Sequence, residues 1–131
     1  MNRLHHSLIA LLVALTTWSA TAQTTYRVED VPNVQLIDYT RFVSDPNDSI
    51  DEADEAVLNQ RIGYLRDSLD VEIAVVVLPA IDGDTYGSAR EFANELFNTW
   101  GIGKKETDRG LLILLITNED NREITFEVGY G

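Results

Sequence analysis

The chain has 131 residues, no cysteine, two histidines and a formal net charge of −12. Both histidines, His5 and His6, stand near the amino terminus. The rest therefore offers neither imidazole nor thiol, which excludes serine–histidine triads, cysteine nucleophiles and zinc sites built on His or Cys. The acidic field also disfavours nucleic acid and anionic membrane surfaces as partners. Carboxylate, hydroxyl, amide, lysine and arginine remain, so any metal should be hard and oxygen-ligated, Ca²⁺ or Mg²⁺.

The first 22 residues have the order of a secretory signal peptide. Arg3 and the histidines precede an apolar run from Leu8 to Leu15, and small residues close the stretch at Ala20-Thr21-Ala22. The run is shorter than the ~20 apolar residues that span a bilayer. We expect cleavage after Ala22, export to the periplasm or the extracellular space, and no membrane span once the signal is gone. Intact-mass measurement of the exported protein should show Gln23, or its cyclised form, at the amino terminus. A retained Met1 would contradict this. An exported domain without disulfides relies on its core alone.

Residues 23–33, within "QTTYRVEDVPNV", are polar and broken by Pro32, which predicts a linker or amino-terminal arm. Residues 34–131 suit one domain. "VQLIDYTRFV", residues 34–43, alternates loosely and predicts a short strand or turn. "SDPNDSIDEADE" then spaces Asp45, Asn47, Ser49 and Asp51 as a calcium loop would, but Ile50 stands where the glycine belongs and Ala56 where the bidentate glutamate belongs. A capping box of Ser49 with Glu52, with acids at the positive end of a helix, is the better account.

Leu58, Ile62, Leu65 and Leu69 predict that helix over 51–69. "EIAVVVLP", residues 72–79, is β-branched and ends at Pro79, as a buried strand does. "IDGDTYG", residues 81–87, resembles the D-x-D nucleophile motif of haloacid-dehalogenase-type phosphatases, but Tyr86 stands where Thr or Val is wanted. A turn with a helix N-cap accounts for it better. Ala89, Phe92, Ala93, Leu96, Phe97 and Trp100 then form one apolar stripe of a helix over 86–100. Residues 110–117 predict a second buried strand, and "NEDN" turns the chain into "REITFEV", where Ile124, Phe126 and Val128 alternate with polar residues. The order helix, strand, helix, strand, strand predicts an α/β sandwich whose last two strands form a hairpin.

"TWGIGKKETDRGLLILLI", residues 99–116, is no P-loop: it lacks G-x-x-x-x-G-K-[ST] and leads into a strand. Gly101 fits a helix C-cap, and Lys104 and Lys105 suit the negative helix end. Asp108 and Arg109 are left without a role in that account. If the last two strands pair, "GYG", residues 129–131, lies beside "DRG", residues 108–110. Gly110, Gly129 and Gly131 would then let backbone approach a ligand, with Asp108 as an anionic oxygen donor. Tight turns at a sheet edge would explain the same glycines.

"VQLIDYTRFVS", "LNQRIGYLRDSLDVEIAVVVL", "LFNTWGIGKKETDRGLLILLI" and "REITFEVGYG", in this order, resemble the TPM domain family, also called the TPM phosphatase family. The resemblance runs from about residue 32 to the end. It implies a Rossmann-like α/β/α sandwich, with a mixed sheet ending in a β-hairpin, in an exported protein. In the thylakoid-lumen branch it implies acid phosphatase activity linked to photosystem II repair, and calcium binding. The family's V-x-D-y aspartate matches Asp38, its D-x-G matches Asp108 and Gly110, and its G-Y-G matches Gly129, Tyr130 and Gly131. Family domains continue past G-Y-G with an L-E-G-type segment, another aspartate and further helices. The resemblance thus implies a domain truncated at its carboxyl end, with members often tethered by a later membrane helix.

Two functions follow from the resemblance. One is a metal-assisted phosphatase acting on phosphomonoesters. Asp38 and Asp108 would be the catalytic, Ca²⁺- or Mg²⁺-holding residues, and Lys104, Arg109, Gly110, Gly129, Tyr130 and Gly131 would contact substrate. The other is a non-enzymatic metal-binding module serving the assembly or maintenance of membrane protein complexes.

Overall fold

A computed structural model describes residues 24–103 and 106–131. The expected signal peptide and Lys104 lie outside the described residues. The elements are a short strand β1 (Val43–Ser44), helix α1 (Glu52–Leu69), strand β2 (Glu72–Leu78), helix α2 (Ala89–Trp100) and strands β3 (Gly110–Ile116) and β4 (Glu123–Val128). The strands form one open sheet in the order β1-β2-β3-β4. β1, β2 and β3 run parallel, and β4 closes the sheet antiparallel to β3.

Strand alternation divides the core in two. On one face Val43, Val75 and Val77 pack with Phe42 and with Ile62 of α1. On the other, Val76, Leu78, Leu112 and Leu114 pack with Phe92, Ala93 and Leu96 of α2. The result is the expected α/β/α sandwich. Both crossovers step the same way across the sheet while their helices lie on opposite faces, so the two have opposite hands, and one departs from the usual right-handed rule.

The amino-terminal arm is part of this core. Val28 and Val31 are buried among α2-side residues, and Tyr26 forms a parallel bridge with Ile81. The Val28 N–H donates to the buried Tyr86 hydroxyl at 2.9 Å. Burial pushes the Tyr86 phenol up from its ordinary value. Its ring meets Phe92 edge-on at 4.8 Å between centroids.

The capping box at the start of α1 does not form. The N-cap is Asp51, two residues later than the box requires, and it makes no side-chain cap bond. Ser49 and Ile50 therefore remain in the loop, where the Asp45 carboxylate accepts from both backbone N–H groups at 2.9 and 2.7 Å. Glu52, Asp54 and Glu55 still sit in the first turn, favourable for the helix dipole. Asp45→Ala should therefore cost about 1–2 kcal/mol by leaving two donors without their charged acceptor. Ser49→Ala should be close to neutral. Thermal unfolding of the two variants checks this, and a reversed order would restore the capping box.

α2 starts as a helix should. The Ser88 Oγ accepts from the Glu91 N–H at 3.1 Å, and the Glu91 carboxylate accepts from the Gly87 N–H at 2.8 Å. Asp82 has a separate task in the turn ahead. It accepts from the Thr85 hydroxyl at 2.8 Å, the Asp84 N–H at 3.1 Å and the Arg27 Nε at 3.0 Å, tying the arm to the turn. The Thr85 and Arg27 bonds hold its carboxyl below the usual carboxylate range. That contribution to stability is present above the ordinary carboxylate pKa and is lost as pH falls through the lowered one.

Candidate functional site at the amino ends of the parallel strands

β2 and β3 begin in register, Glu72 opposite Gly110, and the segments around them are laced by backbone bonds. The Glu72 N–H donates to the Arg109 carbonyl at 2.9 Å, and the Glu72 carboxylate accepts from the Gly103 N–H at 2.8 Å. Glu72 thus ties the loop after α2 to the start of the sheet. Sequence reading assigned it only to a strand. The signal was its charge: an acid opening a β-branched buried run, as Asp108 stands two residues ahead of the next one.

Asp108 is the centre of the cluster. It adopts a left-handed conformation, φ 51°, which is uncommon for a non-glycine residue. The hairpin register brings residues 129–131 against it as expected. The Gly129 N–H donates to the Gly110 carbonyl at 2.9 Å, and the Gly131 N–H to the Asp108 carbonyl at 3.0 Å. The Tyr130 N–H donates to the Asp108 Oδ2 at 3.1 Å, which fixes the direction of the carboxylate. The Tyr130 side chain itself is fully exposed.

The glycines answer first to the chain's own backbone. A Cβ on Gly131 would overlap the Thr107 carbonyl, and one on Gly129 would overlap the Asp108 carbonyl. On Gly110 it would stand 2.6 Å from the Ile102 carbonyl oxygen. Beside this interlock the Thr107 Oγ1 is buried with no hydrogen-bond partner among the described residues. A buried hydroxyl left unsatisfied calls for an explanation, and a bound water or ion is one.

The other expected site residues are distributed as follows. Arg109 lends its carbonyl to Glu72 and points Nη1 at the Leu69 carbonyl, 3.3 Å away, where it serves the carboxyl end of α1. Asp38 follows the turn Val34–Leu36 and lies ahead of β1 in the chain. Its Oδ1 accepts from the Thr40 N–H at 2.9 Å and the Thr40 hydroxyl at 2.7 Å. Those two bonds hold its carboxyl below the usual range. Among the described residues no group of three or more His, Cys, Asp or Glu side chains converges to hold a metal. Any cation here would be anchored by few protein oxygens and would keep water for most of its ligands.

At the opposite end of the sheet, Asp82 and Asp84 belong to the turn before α2. No described helix is long and apolar enough to cross a membrane.

Comparison with known proteins agrees with this architecture. The structure is similar to the solution NMR structure of the N-terminal domain of a protein from P. gingivalis, with a TM-score of 0.70 and 42% sequence identity. The similarity covers 82% of this chain and 66% of that one, so the match leaves part of the neighbour without a counterpart. No curated protein matches. The family model described as the TPM domain matches residues 43–131, from β1 through the GYG turn. The chain belongs to the TPM domain family.

Proposed function

We propose that the chain binds a divalent cation, Ca²⁺ or Mg²⁺, at the Asp108 turn and that the site acts on phosphomonoesters as a metal-assisted phosphatase. The observation that carries the reading is the pairing of a directed carboxylate with an unsatisfied hydroxyl. Asp108 is held in an uncommon backbone conformation with its carboxylate fixed by Tyr130, and Thr107 next to it keeps a buried oxygen without a partner among the described residues. Two oxygen donors of this type suit a hard cation.

The residues divide the work simply. Asp108 supplies the anionic oxygen and Thr107 a neutral one. The interlocked glycines keep both in place. A bound cation would supply charge neutralisation at phosphate oxygens and polarise a water. Arg109 can reach a phosphate by giving up its bond to the Leu69 carbonyl, a longer contact than those that hold Asp108.

A second reading has its own support. With neither imidazole nor thiol after His6, and with a site built from one carboxylate, one hydroxyl and backbone, the turn offers no activated protein nucleophile. The same cation would then serve a non-enzymatic module, with membrane protein complexes as its partners. Calorimetric titration with CaCl₂ and MgCl₂, followed by a phosphomonoester panel with and without the ion, separates the readings. Binding with ion-dependent turnover supports the phosphatase, binding without turnover supports the module, and no binding removes both.

A further inference from the structure

β1 is much shorter than the strand beside it. It pairs only Val43 with Val75 and Ser44 with Val76, whereas β2 already begins at Glu72. Backbone groups of successive residues in a strand turn to opposite neighbours, which decides what the short β1 leaves free. The Glu72 N–H turns to the β3 side, where the Arg109 carbonyl accepts it, and the Val75 N–H turns to the β1 side, where it donates to the Phe42 carbonyl at 2.9 Å. Ile73 shares the direction of Val75, so its N–H and carbonyl face a stretch that β1 does not reach. The Phe42 N–H, which a longer β1 would aim at the Ile73 carbonyl, donates instead to the Asn59 Oδ1 at 2.7 Å. Ahead of it the chain turns aside, with the Arg41 N–H on the Asp38 carbonyl at 3.0 Å. Among the described residues no other backbone group takes up Ile73 on this edge.

A cleft of about 50 Å³ opens at the same place, with Asn33, Gln35, Phe42, Glu72, Ile73 and Trp100 in its lining. Among the described residues of that lining only Glu72 is charged. Its Oε2 accepts from the Gly103 N–H at 2.8 Å, and its Oε1 has no hydrogen-bond partner among the described residues. These groups define a ligand. A bare strand edge takes an extended peptide through main-chain bonds. The carboxylate asks for a cation, and the aromatic lining suits an organic ammonium better than a bare metal ion. A cleft with room for little more than one small group takes the end of a chain rather than its middle. A free amino terminus carries its ammonium next to its first peptide unit, whereas a lysine ammonium is separated from the backbone by a flexible four-carbon stem.

We propose that the cleft beside Ile73 binds the amino terminus of an extended polypeptide. The ligand's first peptide units continue the ladder where β1 stops, donating to the Ile73 carbonyl and accepting from its N–H. The terminal ammonium meets the Glu72 carboxylate. The ligand thus adds main chain at the sheet edge and charge at the amino ends of the strands. This inference does not depend on the cation reading.

The test is an NMR titration of the full ¹⁵N-labelled chain with trialanine amide, with its N-acetylated form, and with Nα-acetyl-lysine methylamide. Trialanine amide should give saturable shifts at residues 33–35, 42, 72–74 and 100–102. Both acetylated compounds should bind at least tenfold more weakly, the first because it has lost the ammonium and the second because its ammonium is remote from the peptide unit. Glu72→Gln keeps an acceptor for the Gly103 N–H and removes the charge, so it should weaken trialanine amide at least tenfold. The comparison of the three compounds on the parent chain holds even if that variant fails to fold. Equal affinity of the N-acetylated peptide, or of the lysine derivative, overturns the proposal. So does the absence of saturable shifts, or their confinement to residues 107–110 and 129–131.

Discussion

Phe92→Ala is expected to destabilise the protein by about 3–5 kcal/mol, enough to unfold much of a domain whose total stability is of the order of 5–15 kcal/mol. Phe92 is fully buried on the inner face of α2, among Val76, Leu78 and Leu112. Its removal deletes the ring and leaves a cavity between rigid neighbours that can only partly collapse. It also takes away the edge-on partner of Tyr86, whose hydroxyl satisfies the Val28 N–H of the arm. The arm should therefore loosen with the core. Urea unfolding of Phe92→Ala, with near-UV circular dichroism to follow the aromatic packing, measures this. A loss below about 1 kcal/mol would mean that the arm and α2 do not share one core.

Gly110→Ala is the second large effect, expected at about 1–3 kcal/mol. The added Cβ would stand 2.6 Å from the Ile102 carbonyl oxygen and 2.9 Å from the Gly103 nitrogen. Both are backbone atoms, so the loop after α2 must move away from the first residue of β3. That shift breaks the seam closed by Glu72 and displaces Asp108, so cation binding should fall although no ligand is deleted. Gly83→Ala is the matched control, since a Cβ there meets nothing within 4 Å. Equal stability of the two variants would show that the seam is loose.

Much of the fold could be read from the residues because its elements have unambiguous periods. The β-branched run ending at Pro79 and the stripe from Ala89 to Trp100 became β2 and α2. The hairpin register followed from turn and strand lengths, and it put GYG beside DRG as expected. The cap of α1 was misassigned because Ser49 and Asp51 are both good N-cap residues two positions apart, and local chemistry cannot choose between them. The helix starts after the later one, and Asp45 takes up the loop donors. The arm's burial was hidden because only Val28 and Val31, in a polar stretch broken by Pro32, enter the core.

The Asp108 turn stood out in the sequence because an acid two residues ahead of a buried strand needs a reason. Asp38 entered only through the family resemblance, and the structure engages it locally with Thr40. The glycines were correctly placed, but their steric cause is the chain's own carbonyls packed against them. Sequence spacing shows that backbone comes close there; it does not show to what.

The central claim is that Asp108 and its interlocked turn hold a divalent cation. An NMR titration of the ¹⁵N-labelled chain with CaCl₂, repeated with MgCl₂, on the parent protein, Asp108→Asn and Asp82→Asn tests it most directly. The expected result is saturable shifts clustered at residues 107–110 and 129–131. Affinity should fall at least tenfold in Asp108→Asn, about 1.4 kcal/mol, and stay unchanged in Asp82→Asn. Shifts centred on residues 82–84, or parental affinity in Asp108→Asn, would contradict the account and move the site to the other end of the sheet.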